Sequence, residues 1–179
     1  MNGTAKEIRW TIDDVCAMDM CKEYDRPRVE ELFAGRSTLG IVEVCDLDIP
    51  ARDRVWFLTH ALPWGVIEPA ITAIVDRAVR THALGDPTTG AWAARWLDGT
   101  DRSKEAARSA AEAAWMAADA AAPAMAACAA ESAAEAEERV ARESSAAWVA
   151  EAAWVAEAGR AGGLEAQVED FRRLAEEKA

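Results

Sequence analysis

Apolar residues recur at three- and four-residue intervals along most of the chain, the period of a helix that buries one face. In "ARDRVWFLTHAL" the stripe is Val55, Leu58 and Leu62; in "EPAITAIVDRAVRTHALG" it is Ile71, Ile74, Val75, Ala78 and Val79. Near the end, Leu164, Val168, Phe171 and Leu174 line up in the same way, and "DPTTGAWAARWLDG" sets Trp92 and Trp96 four apart on one face. Boundary residues agree with these stripes. Thr11 followed by Asp14 predicts a capping box that opens "IDDVCAMDM". Pro27 suits the first position of "PRVEELFAG", with Gly35 as its C-terminal cap, while Pro63 and Gly85 close the next two helices. The β-branched run "TLGIVEVC", headed by Ser37, suits helix or strand; no second strand-like run offers to pair with it, so a helix is expected.

From Lys104 to Ala158 about half the residues are alanine, the strongest helix former, so long helices are expected here rather than disorder. Pro123 is expected to break this run, separating roughly Ser103–Ala122 from Ala124–Ala158. In the first part Glu105, Arg108, Ser109, Glu112 and Asp119 project to one side. The opposite side, around Ala110, Ala114 and Ala117, carries only methyl groups and admits a close helix neighbour, with Trp115 and Met116 at its edges. In the second part Glu135/Arg139 and Glu138/Arg142 stand at pairing distance. The expectation is an all-α helical bundle, with short N-terminal helices packed against two or three long alanine-rich ones. Residues 1–102 would hold the main apolar core, and residues 103–179 would pack on them as one domain.

The hexad in "AAWVAEAAWVAEAG" occurs twice. Six residues advance a helix by roughly 600°, so Trp148 and Trp154 fall on different faces, as in a helix with two neighbours or with one neighbour and a partner. Eight tryptophans suit such thin-walled packing, where large rings fill gaps that methyl groups leave. Trp10, Trp56, Trp92, Trp96 and Trp115 are expected to be core fillers. Trp64, in the turn-like "LPWGV", is expected to be exposed and available to a partner.

The net charge is −12, and both halves share the excess: 12 basic against 17 acidic residues through Arg102, and 8 against 15 after it. Such a surface repels phosphate backbones, so no direct nucleic-acid binding is expected; a basic protein partner fits better. Acidic positions Glu131, Glu135, Glu137 and Glu138 are its candidate contacts, beside their ordinary role as a solvated helix face. Cys16, Cys21, Cys45 and Cys128 match no disulfide or zinc spacing, and no metal or cofactor is expected. His60 and His82 belong to no nucleophile motif, so no catalytic residue is assigned. "MNGTAKEIRW" lacks the apolar core of a signal peptide, and Asp119 and Pro123 interrupt the apolar stretch from Ala113 to Ala130. A cytoplasmic location and no membrane association are expected.

The order of segments carries a resemblance. "IPARDRVWFLTHAL", a helix with Asp76-Arg77-Ala78, then "GDP" and "WLDGTDRSKEAARSAAEAAW" lead into alanine–tryptophan repeats. From roughly Leu47 to Gly159 the chain resembles a loose family of alanine-rich phage and prophage proteins, several described as immunity proteins of bacterial toxin systems. The most specific elements are Asp53-Arg54-Val55-Trp56 and Trp96-Leu97-Asp98-Gly99; cysteines expected in the middle helix of relatives are here Ala73 and Ile74. The resemblance implies an all-α, non-enzymatic protein acting in conflict between phage and host. The expected function is therefore occlusion of a macromolecular target with a basic surface, such as a nuclease complex, by an anti-CRISPR-like factor. An immunity protein against a toxin is the alternative, and a homodimeric or structural assembly module a further one.

Overall fold

The computed structural model describes residues 7–18, 23–117, 121–138 and 163–176. Helices α1 (Ile12–Cys16), α2 (Arg26–Phe33), α3 (Ile41–Cys45), α4 (Ala51–Ala61), α5 (Trp64–Ala78), α6 (Gly90–Asp98), α7 (Lys104–Met116), α8 (Ala121–Glu138) and α9 (Gly163–Glu176) make an all-α bundle. Its one sheet among the described residues joins β1 (Arg9–Trp10) to β2 (Leu39–Gly40) antiparallel, with Trp10 opposite Leu39.

That small sheet corrects the expectation for "TLGIVEVC". Leu39 and Gly40 are strand, and the helix begins at Ile41 with Gly40 as its N-cap instead of Ser37. A pairing two residues long leaves no periodic trace in the sequence. It is held by side chains: Arg9 donates to the Thr38 hydroxyl (2.8 Å) and to Glu43 (2.9 Å), whose other oxygen accepts from the Gly40 N–H at 3.0 Å.

Other boundaries follow local chemistry. The Thr11–Asp14 capping box forms as the spacing predicts. Asp25 caps α2 by accepting from the Arg28 N–H, and the chain leaves α2 through Ala34 (φ 49°) and Gly35 (φ 79°), both left-handed. Gly85 does not act as a left-handed cap. Instead α5 widens into a π-helical turn over Val79–Ala83, and the Thr89 hydroxyl takes up the carbonyl of Ala83 at 3.1 Å.

Two prolines lie within helices, one of them, Pro123, where a break was expected. α5 starts at Trp64, so Pro69 lies inside it. The hydrogen bond Pro69 lacks would have gone to Gly65, and both residues sit on the exposed face where water replaces it. Pro123 falls in the first turn of α8, whose N–H groups need no helical partner; α7 has already ended at Met116.

The core is continuous across the helices. Phe33, Leu58, Ile67, Ile71, Ile74, Val75 and Phe171 are fully enclosed. Helix α8 lies along α7 and reaches α5 and the π turn, while α9 packs on α3, α4 and α5. The alanine face of α7 (Ala107, Ala110, Ala111, Ala114) finds its close neighbour within the chain, in the alanines of α8 from Ala124 to Ala134. The hexad repeat, Arg139, Arg142 and the cysteine at 21 lie outside the described residues, as does the Trp115 side chain. No helix among the described residues is long and apolar enough to cross a membrane.

Candidate functional site

Helix α4 has two working faces. Val55, Leu58 and Leu62 enter the core, as the stripe predicts. On another arc Arg52, Asp53, Trp56 and Phe57 look onto a cavity of about 540 Å³ that α1, α2 and the β2–α3 segment complete. Helical spacing sets Val29, Leu32 and Phe33 of α2 on its far wall, and Leu39, Val44, Leu47 and Ile49 fill in the sides.

Polar groups collect at one side of this apolar chamber. The Tyr24 hydroxyl donates to Oδ2 of Asp53, and Glu23 and Arg52 also line the space. Trp56 is 36 % exposed and stacks on His60, with ring centroids 4.1 Å apart. His60 Nδ1 lies 2.7 Å from the carbonyl of Trp56 and so must donate to it, which fixes the tautomer while the ring is neutral.

These findings revise two tryptophan assignments. Trp56 is not a core filler, because it lies on the charged arc of α4. Trp64 is not an exposed turn residue, because it is the first residue of α5 and packs half-buried against the core. Trp10, Trp92 and Trp96 are buried as expected; Trp10 meets Phe57 edge-on at 4.9 Å, and Trp92 lies 5.9 Å from Trp96. The cavity was missed because its walls come from four separated segments. The readable sign was a tryptophan in register with Arg52 and Asp53 instead of Val55 and Leu58.

Of the acidic candidates, Glu131 is half-buried and committed to Arg108 at 2.7 Å. That contact ties α8 to α7 through Glu131. The side chains of Glu135, Glu137 and Glu138 lie outside the described residues.

The nucleophile candidates have structural surroundings. Cys45 is buried, with its Sγ 3.6 Å from the Val168 carbonyl, and burial pushes its thiol up to about 12, so it remains protonated. Cys16 and Cys128 are half-buried thiols. Among the described residues, His60 has hydrogen-bonding contacts to Trp56 and Thr59. No group of three or more His, Cys, Asp or Glu side chains suited to a metal occurs among the described residues.

The motif residues behind the resemblance hold helices together. Asp76 of α5 accepts from the Trp96 indole N–H at 2.9 Å and from Arg102 at 3.0 Å, and the Arg102 guanidinium sits 5.4 Å from the Trp96 ring. No family model, curated protein or solved structure matches the chain.

Proposed function

We propose that this chain is an acidic binding protein of phage or mobile-element type that inhibits a macromolecular target by occlusion, without catalysis. The observation that carries this reading is where the positive charge goes. Arg9, Arg26, Arg28, Arg54, Arg77, Arg102, Arg108 and Arg172 are each bonded to a carboxylate of their own chain. With most cations among the described residues neutralised internally, the chain's excess of −12 is expressed outward. Glu23, Asp48, Glu68, Glu105, Glu112 and Glu176 are exposed with no ion pair among the described residues. A field of one sign speeds encounter with a basic surface and repels acidic competitors.

An anti-defence factor acting on a nuclease complex in the bacterial cytosol is the leading form, because such complexes expose basic channels for nucleic acid. Neutralisation of a basic toxin is the alternative and would use the same surface. Immobilised protein challenged with candidate nuclease complexes and toxins at physiological salt tests both forms. Retention that weakens as salt rises is expected; failure to retain any of them, or retention indifferent to salt, would overturn occlusion by charge.

A further inference from the structure

The cavity beside Trp56 is too large to be a packing defect. Its 540 Å³ lies among small-molecule sites, which span about 300–1,000 Å³, whereas a water molecule takes about 30 Å³. Val29, Phe33 and Val44, each at most 2 % exposed, form part of its wall. Such walls offer water few hydrogen-bond partners, so an apolar occupant is favoured over a hydrated void.

The polar side of the chamber sets the occupant's other end. Among the described lining residues, Glu23 and Asp53 bring two carboxylates and Arg52 one guanidinium, within a chain of net charge −12. Asp53 accepts from Tyr24 through Oδ2. Oδ1 of Asp53 has no hydrogen bond among the described residues. Trp56 adds an indole, a surface that attracts cations.

We propose that this cavity binds a small amphiphilic cation, with an alkyl or aromatic body against Val29, Phe33 and Val44 and a protonated amine near Glu23, Asp53 and Trp56. The site is independent of the occlusion reading, and either can fail while the other stands.

Calorimetric titration of the full chain with decylamine, decanol and decanoate, each below its micellar concentration, tests the assignment. Decylamine is expected to bind saturably at one per chain, decanol more weakly and decanoate not measurably. Val29→Phe, which narrows the chamber, should weaken decylamine binding severalfold while far-UV circular dichroism stays unchanged. If that variant fails to fold, Glu23→Gln decides: this exposed change should weaken decylamine about three- to fivefold and leave decanol unaffected. Absence of decylamine binding, equal binding of decanoate, or a folded Val29→Phe that binds decylamine as tightly as the parent would overturn the proposal. So would a Trp-Lys peptide that binds where decylamine does not, since it would make the occupant a protein segment.

Discussion

The Tyr24 hydroxyl donates to Oδ2 of Asp53 across 29 positions, pinning the segment before α2 to the first turn of α4. This bond spans one side of the cavity, so Tyr24→Phe separates the bond from the ring that carries it. The variant should lose about 1 kcal/mol in urea unfolding, the ordinary net worth of such a bond, with an unchanged slope. No loss would mean that the segment is not held there in solution.

Arg77 of α5 is bonded to Asp170 of α9, and that carboxylate is only 3 % exposed. Removing this nearly buried carboxylate takes away the bond that ties Arg77 of α5 to α9 and a partner of Arg173. Asp170→Ala should therefore destabilise by about 3 kcal/mol or more. The neighbouring Glu169, 57 % exposed beside Arg172, provides the contrast. Glu169→Ala should stay within about 1 kcal/mol of the parent, since exposed pairs contribute little. Equal losses would mean that α9 is docked by apolar contacts alone.

The all-α class was legible because Val55/Leu58/Leu62 and Val168/Phe171/Leu174 repeat at helical spacing and end buried. The Thr11–Asp14 cap was legible for the same local reason. What failed depended on partners distant in sequence. Leu39 and Gly40 became strand only because Arg9 and Trp10 lie alongside. Pro123 looks like a breaker until the start of α8 is known, and α5 starts five residues ahead of Pro69. Trp56 and Trp64 exchanged roles because exposure depends on which arc of a helix meets the core. The cavity, built from four segments, has no local signature.

The pH response follows from the carboxylates at turns and caps. Backbone N–H donors lower Asp14 (from Thr11) and Asp86 (from Thr89), while hydroxyl donors lower Asp98 (from Thr100) and Asp101 (from Ser103). Their unfolded values are near 3.9, so on acidification the unfolded chain takes up protons first. Stability should be complete above about pH 5 and decline as pH falls through 4 toward the folded values. Cys45 has the opposite sign. Its thiol is raised to about 12, so stability should also fall as pH rises past the unfolded value of about 8.5. Urea midpoints across pH should show both limbs, with Asp86→Asn flattening the acid one and Cys45→Ala the alkaline one.

The alanine interface between α7 and α8 should be intolerant of added volume. Ala107 is fully buried, whereas Ala113, on the same helix, is exposed. Ala107→Leu forces the helices apart and should cost about 1–3 kcal/mol; Ala113→Leu should change thermal unfolding little. Equal tolerance at both positions would mean that α7 does not dock through its methyl face.

Trp56 and Trp96 separate binding from stability most sharply. Trp96 is 3 % exposed, and its indole N–H is bonded to Asp76, so truncation leaves a cavity and removes one of the two donors to Asp76. Trp96→Ala should cost about 3–5 kcal/mol. Trp56 is 36 % exposed and rests on His60, which can follow or swing into solvent when the indole is removed. Trp56→Ala should therefore cost under about 1 kcal/mol, within the range of ordinary surface changes. Its effect should instead appear in ligand titration, because the indole borders the chamber shared with Tyr24 and Asp53. A Trp56→Ala protein that melts like Trp96→Ala would return Trp56 to the core. One that melts like the parent and binds decylamine equally well would separate Trp56 from the ligand and leave the carboxylates to hold the amine alone.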